Sequence, residues 1–224
     1  MDRGKYQVIE DYMLSSMDNN DTAHGYQHVY RVLYNALEIS KDYELDDEVL
    51  IVSSLLHDIG RDAQTKNSYI DHAEEGAEKA YLYLISNGWS KGKANHIKDC
   101  ISTHSNRNAC SIEAKIIFDA DKLDVIGAIG VARIIAYNGI VSQPLYSVSN
   151  NGMVLPGEKN EKDSFFKEYN NNFKKIYDRF YTKKAKEMAK NKKKTSEDYY
   201  NKLFEEVYNI HKNGIENLNI VLKA

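Results

Sequence analysis

Residues 46–61 read DDEVLIVSSLLHDIGR, and this stretch decides the fold that the sequence predicts. Its apolar residues surround the predicted helix almost completely, which is typical of a helix in the centre of a core. An aspartate at its start and Gly60 at its end are ordinary helix boundaries. The predicted helix therefore presents the imidazole of His57 and the carboxylate of Asp58 together at the edge of a buried core.

Helical periodicity extends over most of the remaining chain. Further helices are predicted over residues 25–41, 72–87, 91–104, 111–137 (two linked segments), 164–190 and 196–213. Asp21 or Thr22 is a candidate N-cap for the first of them. No run of 18 apolar residues occurs, so no membrane span is expected. We therefore expect an all-α fold, a compact multi-helix bundle of about eight or nine helices.

Residues 138–163 break the helical pattern, since both prolines lie there. The segment SVSNNGMVL (147–155) predicts a short hairpin that turns on Asn151-Gly152. A loop of this length is either a lid over a functional site or a surface excursion. We expect one domain over residues 1–224, with a core (20–137), this loop insertion and C-terminal helices (164–213).

Composition limits the classes of function. With 30 basic and 33 acidic residues the chain does not resemble a dedicated polyanion-binding protein. The lysine-rich run Lys183–Lys194 is expected to be a solvated helix face, and nucleic-acid binding is its alternative reading. Cys100 and Cys110 form neither a disulfide framework nor a zinc ribbon. Because the N-terminus also lacks the apolar core of a signal peptide, we expect a cytoplasmic protein.

The His57-Asp58 pair gives a metal ion one nitrogen and one carboxylate oxygen from a single helix end. Two further ligands from other helices, His28 and Asp121, would complete a divalent-cation site. Imidazole with carboxylate suits Mn, Fe, Co, Ni or Zn and also holds Mg weakly. Such an ion activates water and neutralises phosphoryl oxygens, which is the chemistry of phosphate-ester hydrolysis.

Five ordered blocks of sequence carry a family resemblance. They are HGYQHVYRV (24–32), LLHDIGRD (55–62), DHAEEGA (71–77), ISTHS (101–105) and DADKLDVIGAIGVAR (119–133). They resemble the HD-domain superfamily of metal-dependent phosphohydrolases, in particular its small stand-alone bacterial hydrolases, over at least residues 20–137. The resemblance implies that the metal ligands are His28, His57, Asp58 and Asp121.

His72 and His104 correspond to histidines that bind a second metal in binuclear relatives. Here Ser105 replaces the second histidine of the usual His-His pair, and no Gly-Tyr-Pro signature follows. We therefore expect both histidines to contact substrate phosphate or an outer water shell, and a second ion is the alternative.

Several other side chains are candidates for contacts with substrate. Arg61 suits a phosphate oxygen and cannot act as a base, so we expect it to stabilise charge beside the catalytic carboxylate of Asp58. Lys122 has the same expected role, and Lys66 is a candidate at the rim. Asp124, one helical turn after Asp121, is expected to face the cavity or to orient a histidine.

The resemblance implies hydrolysis of a small phosphate ester or anhydride, with release of pyrophosphate from nucleoside triphosphates as the leading expectation. The alternatives are a nucleoside monophosphatase, a cyclic-nucleotide phosphodiesterase and a non-catalytic nucleotide-binding sensor. The expected partner is a small nucleotide; nucleic acid and membranes are not expected. The physiological substrate, the native metal, the number of ions and the oligomeric state stay open.

Overall fold

The computed structural model describes residues 1–17, 23–106 and 108–223, and it confirms the all-α architecture. The helices are α1 (Arg3–Ser16), α2 (Tyr26–Ser40), α3 (Asp47–Leu56), α4 (Arg61–Lys66), α5 (His72–Ser86), α6 (Lys91–Thr103), α7 (Ile112–Asp124), α8 (Gly127–Ile140), α9 (Phe165–Glu168), a π-helical turn (Tyr169–Phe173), α10 (Lys174–Ile176) and α11 (Lys183–Lys223). Helices predicted up to residue 140 are confirmed, and α4 was not predicted. The candidate caps Asp21 and Thr22 lie outside the described residues.

The chain divides into two compact units, which are described separately. The first comprises the described part of Met1–Asp124 with Arg179–Met188, and the second comprises Val125–Asp178 with the residues from Ala189 onward. The expectation of a single domain therefore stays a prediction. The same holds for the expectation that residues 138–163 form a lid.

Helix α3 is the centre of the first unit, as its composition predicts. It packs against α1, α2, α5, α6 and α7. Val49, Leu50 and Leu55 are no more than 1% exposed. The side chain of Asp46 caps the helix by accepting hydrogen bonds from the backbone N–H groups of Glu48 and Val49. Helix α3 ends at Leu56, and His57 follows directly.

A close approach between two glycines holds the beginning of α5 against the end of α3. A Cβ atom at Gly60 would lie 2.2 Å from the carbonyl oxygen of His72 and 2.5 Å from the backbone nitrogen of Gly76. Only a residue without a side chain fits there, since nothing but rigid backbone surrounds the position. The packing places His72, the first residue of α5, beside the residues that follow α3.

The predicted bounds of the two C-terminal helices, 164–190 and 196–213, are wrong. The first ends at Ile176, and α11 then runs without interruption through Lys223. The break forms because the buried carboxylate of Asp119 accepts hydrogen bonds from the backbone N–H groups of Tyr181 (2.8 Å) and Thr182 (2.7 Å). The Thr182 hydroxyl in turn accepts from the backbone N–H of Ala185 and starts α11.

The second unit contains α8, the predicted hairpin, the helical segment around Phe165–Phe173 and most of α11. The hairpin is confirmed by an isolated antiparallel bridge between Val148 and Val154, and Gly152 adopts a φ of 81° at its turn. The hydrophobic core of the second unit is formed by Val131, Ile134, Val154, Phe165, Phe166, Tyr169 and Phe173. The aromatic residues of this region are therefore structural.

No single helix in the described ranges is long and apolar enough to cross a membrane, although α7 and α8 taken together meet the criteria of length and composition. The lysine-rich run lies at the start of α11, where Lys183, Lys186 and Lys190 are exposed. Lys184 pairs with Glu38 at 3.1 Å. These positions fit the expected solvated helix face.

Candidate metal centre

Four polar residues that are far apart in sequence lie together in the first unit. His28 comes from α2, His57 and Asp58 follow α3, and Asp121 lies on α7. Nε2 of His28 lies 3.5 Å from Oδ2 of Asp58 and 3.4 Å from Oδ1 of Asp121. Nε2 of His57 lies 3.7 Å from Oδ2 of Asp58. All four side chains are buried, with exposures between 0% and 8%.

Hydrogen bonds on the far side of the rings fix the tautomers of the histidines. Nδ1 of His28 donates to Oδ2 of Asp124 at 2.7 Å, and Nδ1 of His57 donates to the carbonyl oxygen of Ser54 at 2.8 Å. In the neutral rings the protons therefore sit on Nδ1, and both Nε2 atoms present lone pairs. These two Nε2 atoms face one another at 3.3 Å.

This arrangement fits a cation. When both rings are neutral, two imidazole lone pairs face each other beside two carboxylates, so the cluster presents several ligand atoms to one position. Oδ2 of Asp58 is buried and has no hydrogen-bond partner among the described residues. His28, His57 and Asp121 each offer one ligand atom, all within 4.8 Å of one another. Two imidazoles and two carboxylates are the donor set that suits a divalent ion.

Electrostatics keep the ligands in the forms that bind metal. Burial lowers the pKa of His57 to about 4, so its ring is neutral at physiological pH. Burial raises the pKa of Asp58. Nearby groups, above all Arg61 and His57, together lower it by a larger amount, so the net pKa lies well below its usual value. Burial likewise raises the pKa of Asp121 and Lys122 lowers it, and the net pKa is also well below its usual value. Both carboxylates are therefore ionised.

Asp58 has a second set of neighbours on its other oxygen. Oδ1 lies 3.6 Å from Nε2 of His72 and 3.5 Å from Nε2 of His104. Arg61 donates its Nε–H to the same oxygen at 3.0 Å. His57, Asp58 and His104 form a second group that is able to hold an ion. The guanidinium of Arg61 already supplies positive charge there, so a second cation would compete with it.

His104 and His72 differ in how their rings are held. Nδ1 of His104 donates to the carbonyl oxygen of Ile101 at 2.7 Å, so Nε2 is the ring nitrogen that faces Asp58. Neither ring nitrogen of His72 has a hydrogen-bond partner within the described ranges, although both are buried. His104 in this tautomer suits a ligand better than a phosphate donor, whereas His72 is able to accept or to donate.

Of the three cationic residues that are expected to contact substrate, two lie at the cluster of candidate ligands. Arg61 belongs to the cluster through its hydrogen bond to Asp58. Lys122 belongs to it because its Nζ donates to Oδ2 of Asp121 at 2.7 Å. The guanidinium of Arg61 also donates to Oε1 of Gln64 at 3.3 Å. Lys66 is exposed at the end of α4, and no hydrogen bond or ion pair in the described ranges joins it to the cluster. Its expected contact with substrate stays a prediction.

Sequence reasoning missed the residues that support the ligands. Arg31 holds Asp124 through two hydrogen bonds, from Nε to Oδ1 (2.6 Å) and from Nη2 to Oδ2 (3.0 Å). The expectation that Asp124 orients a histidine is confirmed, and Arg31 completes the relay to His28. The signal was present in the sequence, since Arg31 lies three residues after His28 and therefore on the same helix face.

Residues 25–126 match the family model described as the HD domain. This part of the chain is an HD domain. The expected resemblance is thereby confirmed, and the matched residues include all four candidate ligands. HD-domain membership assigns the chain to the metal-dependent phosphohydrolases in general terms, and it leaves the substrate open.

A curated relative and several solved structures resemble this chain. The Bacillus subtilis protein YpgQ is 27% identical over 147 residues, which are 62% of this chain and 69% of YpgQ. The crystal structure of YpgQ in complex with ADP has a TM-score of 0.70 at 23% identity and covers 90% of this chain and 97% of its own. A predicted HD superfamily hydrolase from an uncultured Thermotogales bacterium has a TM-score of 0.62 at 26% identity and covers 89% and 91% of the two chains. A Lactobacillus plantarum protein has a TM-score of 0.74 at 20% identity and covers 92% and 98%.

Proposed function

We propose that this protein hydrolyses nucleoside triphosphates to monophosphate and pyrophosphate with the help of a divalent metal ion. The observation that carries the metal site is the pair of facing Nε2 lone pairs of His28 and His57 beside the carboxylates of Asp58 and Asp121. His28, His57, Asp58 and Asp121 hold the ion in this proposal. When bound, the ion supplies positive charge to phosphoryl oxygens and acidifies water.

The residues around the ligands act on the phosphate chain. Arg61 is about 30% exposed, so its guanidinium reaches outward from Asp58 with N–H groups that suit a phosphate oxygen. Lys122 adds a second positive charge beside Asp121. Arg61 and Lys122 together offset charge that develops on the phosphoryl oxygens and on the leaving group. Neither is a base, so both position the substrate and stabilise its charge.

Two arguments favour a nucleotide substrate. YpgQ, which shares the fold, was crystallised with ADP. Two cationic side chains, Arg61 and Lys122, also lie beside the proposed ligands, and a triphosphate offers anionic oxygens to both. Release of pyrophosphate is therefore preferred to release of phosphate. The monophosphatase, the cyclic-nucleotide phosphodiesterase and the sensor are the alternatives that an experiment must separate.

Product analysis is the direct test. Nucleoside tri-, di- and monophosphates and a cyclic nucleotide are incubated with the protein and Mn, Co or Mg, and products are separated by ion-exchange chromatography. Our proposal predicts monophosphate and pyrophosphate in equal amounts from triphosphates. Release of inorganic phosphate from monophosphates would support the monophosphatase, and opening of the cyclic nucleotide the phosphodiesterase. Nucleotide binding without any turnover would support the sensor.

A matched pair of variants ties the activity to the cluster. Asp121→Asn keeps the shape of the side chain and removes the charge, so metal binding and hydrolysis should both fall by at least about 100-fold. Asp99→Asn makes the same chemical change at an exposed position of α6 and should leave both unchanged. Full activity in Asp121→Asn would contradict the proposed ligand set.

A further inference from the structure

An open pocket of about 290 Å³ adjoins the metal cluster within the first unit. It is lined by Gln64, Ser68, Tyr69, Ile70, Asp71, His72 and Ser105. His72 belongs both to the pocket wall and to the neighbours of Asp58, where its Nε2 lies 3.6 Å from Oδ1. The pocket and the proposed phosphate site therefore share one side chain.

His72 has unused hydrogen-bonding capacity at this pocket. Its side chain is only 10% exposed, and neither ring nitrogen has a hydrogen-bond partner in the described part of the chain. A buried imidazole without partners costs free energy unless a ligand or water completes it. Because His72 lines the pocket, a molecule seated there is in place to satisfy one of its nitrogens.

The lining does not suit a phosphate chain. None of the described residues in the pocket wall is a lysine or an arginine, and Asp71 contributes a carboxylate. Oδ1 of Asp71 caps α5 by accepting from the backbone N–H of Ala73 at 2.8 Å, while Oδ2 takes no part in this bond. A carboxylate oxygen in such a place repels anions and accepts hydrogen bonds from hydroxyl groups.

The remaining groups suit a nucleoside. Gln64 accepts a hydrogen bond from Arg61 through Oε1, which leaves its amide N–H groups as donors. The ring of Tyr69 is 97% exposed at the pocket, so both of its faces are accessible. A flat aromatic ring stacks on any nucleobase, and hydroxyl and amide groups suit a ribose or a base edge.

We propose that this pocket binds the ribose and base of the nucleotide substrate, with the Tyr69 ring stacked on the base and the phosphates directed towards Arg61 and the metal cluster. This assignment rests on the proposed function, since it places the nucleoside of the same substrate. It gives the site a direction, with anionic groups at the cationic cluster and the neutral part of the ligand at Gln64, Tyr69 and Asp71.

Two substitutions at Tyr69 and two probes test the assignment. ADP and inorganic tripolyphosphate, which has no nucleoside, are titrated into the protein by calorimetry with Mg present. Tyr69→Ser removes the ring and should weaken ADP binding by at least about fivefold, which is the lower end of what stacking on a base typically contributes. Tyr69→Phe keeps the ring and should bind ADP as the unmodified chain does. Tripolyphosphate affinity should not change in either variant.

Unchanged ADP affinity in Tyr69→Ser would overturn the pocket assignment, as would an equal loss for ADP and tripolyphosphate or the absence of ADP binding to the unmodified protein. Because the Tyr69 side chain is almost wholly exposed, its removal does not disturb the core. The two proposals fail separately. ADP binding that depends on Tyr69 without hydrolysis of any nucleotide would refute only the activity, whereas hydrolysis with a Tyr69→Ser variant of normal ADP affinity would refute only the pocket.

Discussion

At the residue scale, the chemistry of the cluster depends on which ring nitrogen carries each proton. Asp124 holds the proton of His28 on Nδ1, and Arg31 holds Asp124 with two hydrogen bonds. A carboxylate behind a histidine ligand fixes the ring and makes the opposite nitrogen a better donor of electrons to a metal. Arg31 and Asp124 are therefore positioning residues for the proposed ligand His28.

Removal of the Asp124 charge should weaken metal binding without removing a ligand. We expect Asp124→Asn to lower the affinity for Mn by about 10–100-fold, the usual effect of losing such a partner. Calorimetric titration of the metal-depleted protein measures this, and Asp99→Asn on the surface of α6 is the matched control. Equal Mn affinity in Asp124→Asn and the unmodified chain would contradict the proposed role of the relay.

The buried histidines also predict how stability depends on pH. Burial lowers the pKa of His57 to about 4 and that of His72 to about 3, against about 6.5 in an unfolded chain. Below pH 6.5 the unfolded chain binds protons that the folded protein does not, so the stabilisation is complete above pH 6.5 and is lost on acidification. As the pH falls from 7 to 4.5, each ring should lower the free energy of unfolding by about 2–3 kcal/mol.

Urea unfolding of the metal-depleted protein at pH 7 and pH 4.5 checks this pH dependence. His72→Asn removes one titrating ring, so its loss of stability on acidification should be smaller than that of the unmodified chain by about 2–3 kcal/mol. Carboxylates titrate in both proteins, so their contribution cancels when the unmodified chain and His72→Asn are compared. If both proteins lose the same free energy, His72 is not held neutral by burial.

At the scale of elements, the contact between the end of α3 and the beginning of α5 positions the site. Gly60→Ala would place a Cβ atom 2.2 Å from the carbonyl oxygen of His72. Backbone must move to accommodate it, and we expect a loss of about 3 kcal/mol of unfolding free energy. His72 should shift away from Asp58 with it.

Gly92→Ala in α6 is the matched control, because no atom lies within 4 Å of the added Cβ. This change should stabilise the protein by up to about 1 kcal/mol, since alanine favours a helix more than glycine does. Chemical denaturation of both variants measures the difference. A Gly60→Ala variant as stable as Gly92→Ala would show that the contact is looser than the structure indicates.

The elements that the sequence predicts well are those with local causes. Helix α3 is apolar on all sides with an aspartate cap, and the hairpin has Asn151-Gly152 at its turn, so local chemistry determines both. The position at which α11 begins has a tertiary cause, because Asp119 on α7 accepts hydrogen bonds from Tyr181 and Thr182 directly before it. Helix α11 also continues beyond residue 213, where the predicted helix ends, to Lys223.

The candidate site follows the same division. Histidines and aspartates with metal-binding chemistry are visible in the sequence, and their positions in five ordered blocks predict which of them are ligands. Which atoms face each other is not visible. The bond from Arg61 to Asp58, the support of Asp124 by Arg31 and the packing of Gly60 on Gly76 each require the folded arrangement of two or more helices.

At the scale of the whole molecule, the proposed ligands come from α2, the end of α3 and α7, and only folding brings them together. A metal ion that binds this arrangement binds the folded protein and not the unfolded chain, so it must stabilise the fold. At a concentration about 100 times its dissociation constant, the ion adds about 2.7 kcal/mol. For a chain of this length that corresponds to an increase in the melting temperature of about 5–10 °C.

Calorimetric melting curves with and without Mn or Co measure this increase, and a chelator should reverse it. In Asp58→Asn the increase should disappear, because the substitution removes the charge that both sets of histidines face. Asp99→Asn should retain the full increase. Stabilisation of Asp58→Asn equal to that of the unmodified chain would contradict the proposed role of Asp58 as a ligand, because His28, His57 and Asp121 would then suffice to hold the ion.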